Sequence, residues 1–532
     1  MKIRLIEPKA PGLNVFDRAR LPRLGLPLLG QLLAEDGHDV RIYVETLTPV
    51  DWDDVGEADL VGLSTTTATA PAAYRIARWA SDLGIPTVIG GPHVTFLPDE
   101  ALAHCDFVVR GEGQRTLPEL VAVLQAGTGY APIAGLSYHD ATGQPVHNPD
   151  RPPSTPQEFI ALPSPGLHLI VGHERMTNIP IMTQWGCPYN CDFCAVIQMF
   201  GRRVRARAVE DVLEELEQYR GRGSVFFYDD NFVVDKGRTR ALLQGMIARG
   251  LTPPWSAQVR ADVVYKDRQG EELDHELLGL MRDAGCTMVY CGFESVNPAT
   301  LAAYNKRQEV RDIRESVRAF HAYGIHVHGM FVLGADTDNL TTFQRTVDFA
   351  LRNEIDTVQF LMLTPCPGTP FYERIVEQER LLTDDWNLYD GHHCVIRPAL
   401  MSPYELQVGT IRAMARFYSA RRAVWMIVAN TTRNLPFLLS LLWRERPLRV
   451  QLPRIAALSL LPSRWPNVLD ILKGAVGRES WRRLRDMVMV PTLRLYGWRH
   501  IREWTRQARS RAYLEFLRRL GRTRQQAATG AS

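Results

Sequence analysis

The 532-residue sequence predicts an α/β protein with two successive parallel sheets and a helical, basic C-terminal region. Three observations predict it. Short apolar runs alternate with amphipathic stretches over residues 2–124 and again over 171–400, the pattern of parallel strands covered by helices. A Gly- and Pro-rich stretch separates the two, and after Met401 the apolar spacing becomes helical throughout. The expected organisation is a first domain over 1–130, a linker over 131–170, a core over 171–400, a helical domain over 401–520 and a disordered tail over 521–532. With 45% hydrophobic and 23% charged residues the chain can bury substantial cores, which excludes the disordered class.

In the first domain, strands are expected at 2–7, 40–45, 60–64, 87–89 and 106–109, with helices at 26–36, 71–83 and 116–125. The ligand crevice of such an open sheet lies beyond the carboxyl ends of its strands. Those ends carry Ser64-Thr65-Thr66-Thr67, Gly90-Gly91-Pro92-His93 and Arg110-Gly111-Glu112-Gly113. Glycine lets backbone approach a bulky flat ligand, and hydroxyls offer donors and acceptors without bulk. His93 reads equally well as a loop histidine bonded to backbone, and the whole domain as a flavodoxin-like module that binds nothing.

The second sheet opens with the apolar run 179–182, and Cys187-Pro188-Tyr189-Asn190-Cys191-Asp192-Phe193-Cys194 follows it. Three thiolates spaced CxxxCxxC can each take one iron of a 4Fe-4S cluster and leave the fourth iron open to a substrate-like ligand. A four-cysteine ferredoxin pattern would close the cluster, and zinc would ask for two pairs or a Cys/His set. Strands at 224–228, 255–259, 288–291, 326–333 and 358–363, with helices at 208–219 and 274–284, bring the total to about six strand-helix units, a partial rather than an eightfold barrel. Near the strand ends stand Asp229, Asp230, Gln258, Arg260, Gly292-Phe293-Glu294 and Gly329. Asp229 and Asp230 read equally as caps of a helix starting near Asp235, and Arg260 as a partner of Asp262 or Asp229. Cys286, Cys291 and Cys366 read as buried small residues, and Tyr304 and Lys306 as candidates for substrate contact only.

The cluster loop, with Phe193 directly before its third cysteine, resembles the signature of the radical S-adenosylmethionine (SAM) enzymes. The phrases Gly62-Leu63-Ser64-Thr65, Ile89-Gly90-Gly91-Pro92-His93 and Gly111-Glu112-Gly113 resemble the cobalamin-binding domain of the cobalamin-dependent (class B) members, over most of residues 1–125. The resemblance implies a Rossmann-like (flavodoxin-like) cobalamin-binding domain, a partial (β/α)6 TIM-type radical SAM barrel, and three cofactors: a 4Fe-4S cluster, SAM and cobalamin. It assigns Cys187, Cys191 and Cys194 to the cluster. Phe193, Gln258, Arg260, Gly292, Phe293, Glu294 and Gly329 fall to SAM, with Gly292-Phe293-Glu294 a variant of the motif that holds the SAM amino group. Ser64, Thr65, Thr66, Thr67, Gly90, Gly91, His93, Gly111 and Glu112 fall to cobalamin. The DxHxxG motif that places a histidine on cobalt in many B12 proteins is absent, so cobalamin would be held without a histidine from that motif. Asn305-Lys306-Arg307-Gln308, Trp386-Asn387-Leu388-Tyr389-Asp390-Gly391 and the run 364–370 look like the hopanoid-modifying branch, which hints at a lipid-like substrate.

The implied activity is reductive cleavage of SAM to a 5'-deoxyadenosyl radical and C-methylation of an unactivated carbon, with a flavodoxin- or ferredoxin-type partner supplying the electron. Ring contraction or cyclisation without methyl transfer is the alternative within the family. A macromolecule-modifying enzyme would carry a second cysteine set, yet Cys105 is the first domain's only cysteine, so nucleic acid is not expected as a partner. A non-catalytic cobalamin or SAM sensor is the remaining alternative.

Residues 421–532 hold 23 Lys and Arg against 6 Asp and Glu, a local +17 that the overall +3 conceals. Trp425, Trp443, Trp465, Trp481, Trp498 and Trp504 interleave with these arginines, which fits peripheral membrane contact through basic helices or a helical domain with a solvated basic face. The apolar run 424–443 is interrupted by Asn430, Arg433, Asn434 and Pro436 and is not expected to span. Met1 to Pro8 reads as a strand rather than a leader, and eight cysteines suit a reducing compartment, so a cytoplasmic location is expected.

Overall fold

The computed structural model describes residues 1–10, 21–267, 272–444, 447, 450–451, 475–476 and 478–529. It contains two compact units, one of residues 1–410 with 514–532 and one of residues 411–513.

The first unit carries two parallel sheets. The N-terminal sheet contains β1 (Lys2–Glu7), β2 (Asp39–Val44), β3 (Leu60–Ser64), β4 (Thr87–Gly90), β5 (Phe107–Val109), β6 (Leu136–His139) and β7 (Pro145–His147). Their order is β2-β1-β3-β4-β5-β6-β7, parallel through β5 and antiparallel at β6 and β7. The stretch read as a linker thus lends two strands to this sheet's edge. Strands buried on both faces need near-continuous apolar residues, and inside β1, between its charged ends Lys2 and Glu7, the departure is Arg4, which is fully buried. Its guanidinium is satisfied by Asp54 at 2.6 Å and Asp39 at 3.0 Å. Because the chain leaves β1 for β2 on one side and for β3 on the other, the order reverses between β1 and β3, where an open sheet forms its crevice.

The core sheet contains β8 (Asn178–Ile181), β11 (Ser224–Phe227), β12 (Trp255–Val259), β13 (Cys286–Glu294), β14 (His326–Leu333) and β15 (Thr357–Met362), with the short pair β9 (Gln184–Trp185) and β10 (Arg205–Ala206) beside it. Its order is β15-β14-β13-β12-β11-β8, all parallel, the six-stranded partial barrel expected from the sequence. Alternate residues divide the strands into two faces. Val327, Phe331 and Leu333 of β14 pack into the helix layer, while His326, His328 and Met330 stand on the opposite, concave face.

In the second unit the helices Ala420–Arg433 and Arg478–Trp504 pack along each other, and Asn430 donates to the Met487 carbonyl at 2.9 Å. The helix Ala508–Thr529 takes in most of the stretch read as a disordered tail. Trp465 and the side chain of Trp481 lie outside the described residues. Among the described residues no helix is long and apolar enough to cross a membrane.

Candidate active site

The cysteine loop hangs from the end of β8 and is held there by Asp229. This fully buried carboxylate accepts from the Thr183 amide at 2.7 Å, the Thr183 hydroxyl at 2.5 Å and the Gln184 amide at 3.2 Å. Asp229 therefore ties β8 to β11, while Asp235 caps the following helix by accepting from the Arg238 amide at 3.0 Å. Cys187, Cys191 and Cys194 are free of disulfides, and burial raises the affinity of all three for protons, Cys194 up to about 12. Iron would take the place of those protons on binding. No three His, Cys, Asp or Glu side chains form a single-ion site among the described residues; a cluster asks instead for one thiolate per iron.

A turn at Tyr304–Gln308 fastens this loop to the end of β13. Asn305 donates to the Asn190 carbonyl at 2.9 Å, and the Tyr304 ring meets Phe193 edge-on at 4.9 Å. Lys306 turns the other way and pairs with Glu294 at 2.7 Å, both side chains being buried. Asn305 and Arg307 adopt left-handed φ values of 51° and 50°, and Glu294 of 59°, an uncommon conformation for residues with a Cβ. A Cβ at Gly292 would lie 2.7 Å from the Glu294 carboxylate and 3.0 Å from the Lys306 nitrogen, so only glycine leaves room for this ion pair.

Arg260 answers to the same turn. Its guanidinium pairs with Asp262 at 3.1 Å, donates to the Lys306 carbonyl at 2.9 Å and stacks 3.7 Å over the Tyr189 ring. Of the two protein partners open for it, Asp262 and Asp229, the structure pairs it with Asp262.

Gln258, Tyr290, His328 and Thr357 stand in register across four strands. The Tyr290 and His328 rings lie 4.8 Å apart, and His328 Nδ1 is 2.8 Å from the Thr357 hydroxyl. Burial lowers the His328 pKa to about 4, so the imidazole is neutral near pH 7. Phe293 and Gly329, both expected at SAM, turn the other way. Phe293 is fully buried and packs on Phe331 at 5.7 Å, and a Cβ at Gly329 would meet Phe293, Phe331 and Ile355 within 3.2 Å. Their side-chain positions belong to the helix layer, and only their backbone can face a ligand.

Beyond the N-terminal sheet lies a cavity of about 250 Å³. Ser64, Thr65, Thr66, Gly90, Gly91, Gly111 and Glu112 line it; Leu5, Leu26, Leu28 and Val88 make it apolar, and Met182, Trp185, Phe200, Tyr228 and Asp230 reach it from the core. The polar side chains are largely spent on the protein itself. Thr65 donates to the Gly90 carbonyl at 3.0 Å, and Thr66 shares a capping box with Thr69. The Glu112 carboxylate meets Arg205 at 2.5 Å, the Ser154 hydroxyl at 2.7 Å and Gln114 at 2.8 Å. Gly91 has φ +114° and a Cβ there would lie 2.2 Å from the Thr65 carbonyl, so this glycine answers to the neighbouring strand end.

Two expected residues are corrected. Thr67 is buried in a turn away from the cavity. His93 is 1% exposed and points elsewhere: Nε2 lies 3.2 Å from Glu100, and the ring is 5.0 Å from Trp386, which also donates to Glu100 at 2.9 Å. It is a packing residue between the N-terminal helices and the 386–391 turn. Asp230 is the opposite case. Burial first and Asp229 second push its pKa up to about 7, and among the described residues it makes no hydrogen bond or ion pair.

The donor sets fit the implied groups. Three unbridged thiols suit iron, a buried carboxylate beside Gly292 suits an ammonium group, and an apolar cavity of this size edged by backbone suits the flat nucleotide tail of cobalamin. The sequence missed Lys306 as the partner of Glu294, and missed Tyr290 and His328; alternation within β13 and β14, which sets them opposite Val289, Cys291 and Val327, was the signal that could have found the last two.

Residues 18–121 match the B12 binding domain and residues 181–350 the radical SAM superfamily. An uncharacterized methyltransferase of Pyrococcus horikoshii is 32% identical over 69% of this chain and 81% of its own length. Bacteriochlorophyllide d C-12(1)-methyltransferase of Chlorobaculum tepidum is 29% identical over 78% of this chain and 86% of its own. Hopanoid C-2 methylase of Rhodopseudomonas palustris, at 27% over 69% of this chain and 66% of its own, and an anaerobic magnesium-protoporphyrin IX monomethyl ester cyclase of Cereibacter sphaeroides, at 26% over 62% and 55%, are also related. The radical SAM methyltransferase TsrM of Kitasatospora setae, solved with cobalamin and a 4Fe-4S cluster, shares the fold at a TM-score of 0.59 and 20% identity over 71% of this chain and 78% of its own. With both domains matched in order and the Pyrococcus relative aligned over most of its length, the chain belongs to the cobalamin-dependent (class B) radical SAM enzymes, a family that works with a 4Fe-4S cluster, SAM and cobalamin.

Proposed function

We propose that the chain transfers a methyl group to an unactivated carbon of a small or lipid-like substrate. The observation that carries this reading is the shared cavity: residues at the strand ends of the N-terminal sheet form one wall, and Met182, Trp185, Tyr228 and Asp230 of the core form the other. Radical chemistry asks the protein mainly to position reactants and exclude water, and a mostly apolar cavity does both. Bound together, the three groups supply one-electron cleavage of SAM to a 5'-deoxyadenosyl radical and a methyl group for the carbon radical left on the substrate.

In this reading Cys187, Cys191 and Cys194 hold three irons. Glu294, oriented by Lys306, accepts from the SAM amino group, and Gln258, Tyr290 and His328 line the space where the radical is aimed. Arg260 holds the cluster loop through Tyr189 rather than a SAM carboxylate. Asp230, which makes no hydrogen bond or ion pair among the described residues, stands at the cavity wall and hydrogen-bonds the substrate. A flavodoxin- or ferredoxin-type protein delivers the electron.

Cyclisation without methyl transfer is a second reading, favoured by the relationship to a cyclase. Anaerobically reconstituted protein with methyl-deuterated SAM, reductant, hydroxocobalamin and lipid or pigment extracts separates the two. A product carrying the labelled methyl supports methyl transfer; 5'-deoxyadenosine formed with substrate but without label transfer replaces it with cyclisation. Absence of 5'-deoxyadenosine under every condition would leave a sensor.

A further inference from the structure

In the second compact unit the helices Ala420–Arg433 and Leu435–Arg444 follow each other across Asn434. Both carry large apolar side chains in the open: Val424, Trp425, Val428, Leu435, Leu439 and Trp443 are between 48% and 83% exposed. Val424 and Val428 are one turn apart, and so are Leu435, Leu439 and Trp443, which places each set along one face of its helix. Single exposed hydrophobics need no explanation, but six along two consecutive helices mark a contact surface.

The charge around these residues has one sign. Between Glu405 and Glu445 the sequence holds six arginines and no acidic residue. Arg421, Arg422 and Arg433 are exposed on the same helices as the apolar residues. A nucleic acid would use the arginines and stack on Trp425 and Trp443, but it offers Val424, Val428, Leu435 and Leu439 neither hydrogen bonds nor stacking. The headgroup layer of an anionic bilayer uses both: acyl chains accept the apolar side chains, and phosphates attract the guanidinium groups. Among the described residues no helix can cross a bilayer, so such contact is in the plane of the interface.

We propose that the helices Ala420–Arg433 and Leu435–Arg444 form an interfacial anchor for an anionic lipid surface. The anchor is independent of the carbon that is methylated, and its test involves no turnover. Full-length protein reconstituted with its cofactors is floated with vesicles of phosphatidylcholine alone or with about one third phosphatidylglycerol. Binding is expected to be at least about tenfold stronger on the anionic vesicles, to weaken with added salt, and to shift tryptophan emission to the blue. Val428→Asp with Leu439→Asp is expected to lower binding by about tenfold or more while iron content and circular dichroism stay unchanged. Should that pair disturb folding, Arg421→Gln with Arg422→Gln is expected to lower binding about tenfold on anionic vesicles alone. Failure of the unaltered protein to float, or equal flotation of folded aspartate and glutamine variants, overturns the proposal. So does a dimer in solution that Val428→Asp with Leu439→Asp makes monomeric, since a second copy would then be what covers the face.

Discussion

The two parallel sheets place opposite kinds of residue where a ligand must sit. At the core's strand ends, charge is kept and held in pairs: Glu294 with Lys306, Arg260 with Asp262, and the free thiols of the cysteine loop between them. At the ends of the N-terminal sheet, polar side chains turn back onto the protein, Thr65 onto Gly90 and Glu112 onto Arg205, and what faces the cavity is backbone and apolar side chain. The difference teaches what each ligand asks of its site. Iron and an ammonium group need specific charged donors, whereas a large, flat, mostly neutral ligand needs shape and exclusion of water.

The contrast is broken most severely by Cys191→Ala. Iron is expected to fall from about four per chain to near zero and 5'-deoxyadenosine formation by about a thousandfold or more, with cobalamin retention unchanged. Loss of cobalt together with iron would show that the two sites are not independent. Lys306→Met strands the buried Glu294 charge and is expected to cost about 3–5 kcal/mol in thermal or denaturant unfolding, with SAM affinity lowered at least tenfold in titrations that follow the cluster's electron paramagnetic resonance. Unaltered SAM affinity would remove Glu294 from the SAM site.

Asp230 tests an acid that the core places at the boundary between the two kinds of site. Its pKa is raised to about 7, so the folded state resists its ionisation. Cluster-free protein should therefore lose stability as pH rises from about 4 to about 7, and Asp230→Asn should abolish that slope and gain roughly 2–4 kcal/mol at pH 8. An identical pH profile in the variant would mean that the carboxylate is solvated in solution.

On the cobalamin side the expected effects are those of shape. Gly91→Ala forces a Cβ against the Thr65 carbonyl, and a loss of roughly 1–3 kcal/mol is expected, with reduced cobalt retention and full iron content. His93→Gln should be the mildest change, within about 1 kcal/mol in unfolding, with the visible spectrum of bound cobalamin unchanged because His93 faces Glu100 and Trp386. A shifted spectrum would restore His93 as a cobalt ligand.

The sequence exposed the cluster loop because three cysteines at CxxxCxxC serve no ordinary packing need, and it exposed both sheets because buried parallel strands must be written in short apolar runs. It was weaker at the cobalamin loops, where Thr67 and His93 belong to the same phrases as residues that do line the cavity. A loop's composition does not say which way each side chain turns.

From local chemistry alone, the sequence determined the alternation of strand and helix, the order of the two domains, and the thiol and carboxylate donors. Tertiary structure decided which of those groups remain available. Pairing depends on neighbours distant in the chain: Arg205 takes Glu112, Thr183 takes Asp229, and Lys306, carried on a turn with two left-handed residues, takes Glu294. Burying a charge is costly unless a partner arrives in the right geometry, and only the assembled fold says where each partner stands.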